Sequence, residues 1–521
     1  MAITTGQTRS SGVGAQTDAE HTPEAVVPRG GPSGPGKGQG PGGPHRLRRR
    51  TVAAAESFRR RYGDTVPARL RLLRMTVLLL TAACAALLLV ATLAASRTWD
   101  RAAERHAPQT VSAAGLNLAL NDMDAQAANI LLSNGDAGRG RMDVPYAKAT
   151  EFYDAARHTI SGDLRTLAVA AEGDAGDERA VETLTEDFAR YQELLGRALE
   201  NDGRAGGKAD ALTDYRAATD LLAERLLPEA RGLVEANDHA FDATYTAERS
   251  ALATQSTVLA VIGLVLFAVL VLLQWYLARR FHRVLNPALL AATACGLTAL
   301  VLGLHLLTAS GEQLRVARRD AFDSVVALSR ARALAYDANA DESRYLLDPS
   351  RRAAYEQSFL AKSQQLYGVE GATLSSYDAK LAESWARYRA DHEDRIFTGE
   401  FRRELDNITF TGERPAAERT VETYADYQRD DRTIRSLLAQ GKEREAIAFG
   451  ISWERDKSNA HFGAWMKALD DVTGINQAAF DGAVRNGRDT ATGRLPWVLG
   501  ALLAAGVLTV LGLRPRLAEF R

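Results

Sequence analysis

Apolar positions along the chain gather into four long runs, residues 75–95, 257–277, 287–307 and 495–513. The second run carries no charge, and the third holds only His305 near its end. About 20 apolar residues at roughly 1.5 Å each match a hydrocarbon core of about 30 Å, so each run is long enough to cross a bilayer. A helix apolar on every face does not suit the surface of a soluble protein. Four transmembrane helices are therefore predicted, and the polar stretches between them, 96–255 and 308–494, show helical rather than alternating periodicity.

Orientation follows from the basic residues. The turn 278–286 between the second and third runs contains Arg279, Arg280, His282 and Arg283. Arg69, Arg71 and Arg74 precede the first run, and Arg514 and Arg516 follow the fourth. Keeping these residues inside puts both chain ends, 1–66 and 514–521, in the cytoplasm and both polar segments outside a plasma membrane. Trp99, Trp275 and Trp497 fall at span edges, where indole rings favour the headgroup layer. Charge agrees: residues 1–74, the turn and residues 514–521 carry +13 of a chain total of −1, leaving −14 for the polar segments. An acidic exterior excludes nucleic acid as a partner, and the basic inner face suits anionic lipid.

Breaks rich in Gly and Asn at 133–140, 172–176 and 201–207 divide the first polar segment into helices at 97–132, 144–171, 177–200 and 208–255. Leu222, Leu226, Leu233 and Ala240 form a bundle seam in the last of these, and Pro228 should kink it. In the second segment, helices are expected at 309–347, 351–366, 373–396, 416–439 and 442–486, with Trp465, Leu469, Val472, Asn476 and Ala479 on the seam. Residues 397–415 read as a loop or small hairpin, and Gly487, Gly493 and Pro496 as a break and hinge at the entry to the fourth span. The fold class is thus an all-α membrane protein with two extracytoplasmic antiparallel bundles.

The halves can be laid over one another. Asp122, Ala125, Leu131 and Leu132 match Asp337, Ala340, Leu346 and Leu347, and Asn237, Ala240, Phe241 and Asp242 match Asn476, Ala479, Phe480 and Asp481. Phe188-Ala189-Arg190-Tyr191 matches Tyr424-Ala425-Asp426-Tyr427, with Trp385-Ala386-Arg387-Tyr388 competing, and Tyr215 falls on Trp453. Internal duplication is the expectation. Asn237 and Asn476 sit on or beside an apolar seam, where a polar residue sets helix register or, as a minority reading, touches a ligand.

Residues 1–45 are rich in Gly, Pro, Ser and Thr and read as a disordered tail. Residues 46–62, with Arg48 to Arg50 and Arg59 to Arg61, fit three readings: a basic helix on the inner leaflet, a docking segment, or the orientation signal for the first span. Cys84 and Cys295 both lie in spans, so no disulfide or thiolate metal cluster is expected, and a lipid anchor at Cys84 is disfavoured. No HExxH, Walker loop, GxSxG or CxxC occurs, and the histidines, His239 and His461 among them, lack ligand spacing. Catalytic residues, cofactor and metal are all expected to be none, and no individual residue is assigned to a ligand. His305 alone offers an ionisable group in a span, and Gly263, Gly500 and Gly506 suit close helix packing rather than a pathway.

Residues 437–446, Leu-Leu-Ala-Gln-Gly-Lys-Glu-Arg-Glu-Ala, resemble the helix-break-helix of chemoreceptor-like four-helix sensors. Only eight residues follow Leu513, so no HAMP linker or kinase is expected there, and a signal must pass to a separate protein. The order of parts over residues 60–521, with the entry Thr65-Val66-Pro67-Ala68-Arg69-Leu70-Arg71-Leu72-Leu73-Arg74, resembles the actinobacterial GlnX-type four-span membrane proteins. That resemblance implies an amino-acid-binding lipoprotein outside and a soluble serine/threonine kinase inside. The function expected is a non-enzymatic transmembrane signal coupler. Alternatives are a direct small-molecule receptor, a ligand-free envelope scaffold and, more distantly, a channel; a homo-oligomer is compatible with any of them.

Overall fold

A computed structural model of the chain describes residues 66–135, 140–173, 175–281 and 286–519. The tail, the basic segment 46–62 and residues 282–285 of the central turn lie outside the described residues. What is described is 89% helical, without a strand. The helices are α1 (Val66–Arg101), α2 (Ala107–Ser133), α3 (Asp143–Ala171), α4 (Ala175–Asp202), α5 (Lys208–Leu221), α6 (Leu227–Phe281) and α7 (Pro287–Arg315). They continue with α8 (Asp323–Leu347), α9 (Arg352–Leu366), α10 (Tyr377–Ala390), α11 (Glu400–Asp406), α12 (Glu413–Ala439), α13 (Glu443–Gly450) and α14 (Ser458–Ala518).

Three short π-helical turns, Ala102–His106, Leu222–Leu226 and Val316–Phe322, join helices end to end without a break. The result is four long rods, Val66–Ser133, Lys208–Arg279, Pro287–Leu347 and Ser458–Ala518, each with an apolar window able to cross a membrane. The 68 residues of the first rod extend about 100 Å at roughly 1.5 Å per residue, far more than a bilayer core needs. Protein covers only about a third of each window, 28–33%. The rest presents side chains such as Leu79, Leu264, Val301 and Leu503, each 58–69% exposed, whose only favourable surroundings are lipid. The four rods thus make this a membrane protein. Gln274 ties the second span to the third by donating to the Leu289 carbonyl at 3.1 Å and Thr293 Oγ1 at 2.7 Å. Asn286 caps α7 through Oδ1 and donates from Nδ2 to the Gly512 carbonyl at 2.9 Å, adding the fourth.

Each polar segment has its own core, one around Leu120, Met123, Phe188 and Tyr215, the other around Phe359, Tyr424, Tyr427 and Trp465. A third cluster, Trp99, Phe241, Phe322 and Phe480 with their neighbours, closes the base where the bundles meet the spans.

Several expectations change. Residues 397–415 contain α11, and their only strand-like feature is one antiparallel bridge from Thr398 to Gly368. The helix expected at 442–486 is divided between α13 and α14 by residues 451–457, where Asp456 has a φ of 65°. The seam leaves Ala240, which is exposed, for Phe241, which is 1% exposed, because the π turn at Leu222–Leu226 inserts a residue and rotates the downstream face. That turn lies just before Pro228, whose missing N–H already disturbs the ladder.

Gly487, Gly493 and Pro496 do not interrupt α14. Pro496 is exposed, while Arg488 on one side pairs with Asp100 at 2.7 Å and Glu104 at 3.0 Å, and Val498 on the other is fully buried. The helix is clamped across the proline. Trp99 is 2% exposed and so cannot lie among headgroups; its ring lies against Gly487, where a Cβ would come within 2.3 Å of it. Trp275 and Trp497, 54% and 77% exposed, remain available to the interface. A Cβ on Gly500 would meet nothing within 4 Å, so no close helix approach depends on it, whereas a Cβ on Gly263 would meet Leu300.

Two alanine substitutions test this. Gly487→Ala should lower unfolding stability by about 1–3 kcal/mol through overpacking against Trp99, whereas Gly493→Ala, with open space around it, should gain about 0.5–1 kcal/mol of helix propensity. Thermal unfolding in detergent reads both, and equal effects would contradict the packing described.

Candidate functional site

Alanine spacing brings α2 and α8 together at the centre of the polar head. From Ala119 to Ser133 every residue of α2 except Asp122 is buried, and residues 338–346 of α8 are buried throughout. Helices covered on all faces must satisfy any polar group internally. These carry several, including Asn121, Asp124 and Asn129 on α2 and Asp341, Glu342 and Arg344 on α8.

Asp124, with no exposed surface, is the hub. It accepts from Tyr191 Oη at 2.9 Å, Tyr215 Oη at 2.9 Å, and Arg344 through Nε at 2.9 Å and Nη2 at 2.7 Å. Four donors fill the capacity of one carboxylate. Arg344 also donates to Asp341 at 2.7 Å, and Lys362 reaches Asp341 and, at 2.6 Å, Asp337. Three carboxylates and two cations thus alternate, with both tyrosines donating inward. Burial and then the Asp124 charge push both phenols well above their ordinary range. Burial alone would lower Arg344, but Asp124 and its other anionic neighbours more than reverse this. Burial likewise favours protonated Asp337, and Lys362 with Arg344 overturns it, holding that carboxyl below its usual value. Nearby, Ser343 Oγ donates to Asn129 Oδ1 at 2.9 Å, and Arg216 pairs with Asp348, so several bonds cross between the two polar segments.

A second buried group lies in the other bundle. Glu404 and Glu413 are 3% and 0% exposed beside Asn476. Glu413 Oε2 accepts from the Thr409 and Phe410 amides at 2.6 and 2.9 Å. With both groups ionised, Glu404 and Glu413 Oε1 would face each other with no donor between them. Burial first and the Glu413 charge second raise Glu404 to about 7, so a proton on Glu404 supplies that donor near neutrality.

At the base of the head, Arg318, 3% exposed, pairs with Asp238 of α6 at 2.8 Å and with Asp323, and stacks over Phe241 and Phe322. This joins the rod entering the second span to the rod leaving the third. Phe241 and Phe480, matched in the sequence comparison of the halves, stand 6.4 Å apart edge to face.

Between α2, α6 and α8 lies a cavity of about 140 Å³, with Gln365 and Glu400 also in its lining. More open clefts occur elsewhere, including about 670 Å³ beside Trp453. The expected seam residues divide: Asn476 is fully buried, bonds its own helix at the Val472 carbonyl and keeps Oδ1 unpaired, while Asn237 is half-buried. His461 is paired with Asp430 at 2.6 Å, and His305 accepts from Arg494 at 3.2 Å. Among the described residues no group of three His, Cys, Asp or Glu is placed to hold a metal, and both cysteines are free. Sequence reasoning left Asp124 and Arg344 unassigned. Charged and amide residues set inside an alanine-rich helix were the available signal.

Residues 98–246 match a family model described as an actinobacterial sensor domain. The match begins near the end of α1 and ends in α6, so it contains Asp124, Tyr191 and Tyr215 but not Arg344. No curated protein and no solved structure matches the chain. A sensor domain carried by a protein with four apolar rods belongs to signal sensing at a membrane.

Two outcomes follow from the buried charges. Arg344→Met should cost about 3–5 kcal/mol, because it leaves Asp124 buried without its cation; restoration of much of this loss in the Asp124→Asn, Arg344→Met double variant, read by thermal unfolding, would identify the pair as its source. For Glu404, the folded state keeps a proton that the unfolded chain sheds near its ordinary value of 4.5 and loses it only near 7. Stability should therefore fall as pH rises through that window. Glu404→Gln should flatten the dependence, and an unchanged slope would contradict the assignment.

Proposed function

We propose that this protein is a non-enzymatic transmembrane signal coupler of the plasma membrane, with the polar head outside and both chain ends in the cytoplasm. The observation that carries the reading is the continuity of the rods. Each passes from an apolar window into the polar head without a loop, so a displacement in the head is also a displacement at the other end. Helix shifts of about 1–2 Å are the usual scale of such movements. Arg69, Arg71 and Arg74 at one end of the first rod, and Arg514 and Arg516 at the end of the fourth, favour this orientation by the positive-inside rule.

The stimulus in this reading is delivered by an amino-acid-binding lipoprotein docking on the head, and the response is taken up inside by a soluble serine/threonine kinase, as the GlnX-type resemblance implies. Homo-oligomerisation would be compatible with it. An internal duplication is supported by π turns at corresponding points, Ala102–His106 and Val316–Phe322, and by the mutual approach of Phe241 and Phe480. A second reading, direct reception of a small molecule by the head, is favoured by the cavity between α2, α6 and α8.

Insertion of two glycines after Thr254, within unbroken α6, separates head from span. Amino acid added to intact cells should change cross-linking of the cytoplasmic partner in the parent protein and not in the insertion variant. An identical response in both would refute relay through this helix. Protease applied to intact cells should cut the head, while a cysteine at Arg279 should react only after permeabilisation.

A further inference from the structure

We infer that the cavity between α2, α6 and α8 is a binding site for a small zwitterion carrying an amine and a carboxylate a few bonds apart. Its volume of about 140 Å³ exceeds the roughly 10–15 Å³ that one water requires and is well below the roughly 300 Å³ and more of a drug-sized pocket, so the occupant is small. Its walls hold groups of both signs. α6 contributes Arg231 and Glu235, and α8 contributes Arg330 and Asp337.

Two features of the wall point to an occupant. Asn121, 2% exposed, spends its Nδ2 on Asn117 at 3.0–3.2 Å and leaves Oδ1 with no donor. A buried amide oxygen without a partner costs about 1–3 kcal/mol, and an ammonium placed in the cavity supplies the missing donor. Among the described residues Arg231 makes one side-chain hydrogen bond, from Nε to the Leu227 carbonyl at 3.2 Å, and its terminal nitrogens can also turn to a carboxylate.

The mixture excludes simpler ligands. An anion alone would meet Glu235, Asp337 and Glu400, and a cation alone would meet Arg231 and Arg330. Ala114, Leu227, Val234 and Ala333 form an apolar floor that tolerates a short aliphatic group. Occupation also touches the coupling machinery, because Arg330 pairs with Asp238 of α6 at 3.6 Å and Asp337 belongs to the Lys362 and Arg344 network. The assignment deepens the direct-reception reading and rests on it only for the consequence of binding, not for binding itself.

The full-length protein in nanodiscs, titrated with glycine, alanine and glutamine and, at matched ionic strength, with acetate and ethylamine, tests the site. At least one zwitterion should produce a saturable rise in unfolding temperature of about 2–4 °C, with no rise for the singly charged compounds. Asn121→Leu, which fills the space, should abolish the effect. Arg231→Gln, at an exposed position, should weaken affinity at least tenfold. No shift with any zwitterion, equal shifts with acetate or ethylamine, or affinity unchanged in Arg231→Gln would overturn the site. Binding with an inward response that ignores the two-glycine insertion would overturn the relay alone, and a relayed response without zwitterion binding would overturn the site alone.

Discussion

A carboxylate placed where water cannot reach it must be met by donors, and that requirement at Asp124 organises the head. Taking an isolated ion out of water costs several kcal/mol even after relaxation. Asp124 has no exposed surface and answers the cost with two phenols from its own bundle and a guanidinium from the other polar segment. The segment matching the sensor-domain family stops at residue 246, so its central charge is neutralised by a residue outside it, Arg344. Two polar segments separated in sequence by two apolar spans are thereby tied at their centre by this ion pair, beside the Ser343–Asn129 and Arg216–Asp348 contacts.

The same economy of space governs the connection to the membrane. Small residues let the central helices approach, and Gly487 lets the Trp99 ring lie against α14. π turns absorb an extra residue where a loop would have broken the rods; Ala102–His106 and Val316–Phe322 fall at the polar base, and Leu222–Leu226 lies within the core of the first polar segment. Arg318 and the Phe241, Phe322 and Phe480 rings then lock neighbouring rods at one level. Above that level lies a cavity whose polar walls belong to the same helices, so chemistry in the head and position in the membrane are properties of shared backbones.

Much of this was legible in the chain. The four apolar rods, the helical character of both polar segments and most helix limits follow from period and from runs too apolar for water, which are local properties. The match of Asp122 to Asp337 and of Leu131 to Leu346 fell on the two helices that meet at the centre, as one of several matches between the halves. The candidate site was not legible, because Asp124 and Arg344 are 220 residues apart and neither stands in a motif. Ala240 was chosen over Phe241 because an inserted π residue changes helical phase without leaving a compositional mark. Trp99 was read as a headgroup anchor because its neighbour Gly487 lies far along the chain.

By itself the sequence determined the class of molecule: four spans, two helical polar segments, basic ends and no recognised catalytic motif. Hydrophobicity and helical period depend on residues a few positions apart, and so survive reading in one dimension. Only tertiary structure decided which buried charges pair, where the cavity lies and whether α14 breaks at Pro496, since each is settled by atoms from distant helices arriving within a few ångströms of one another.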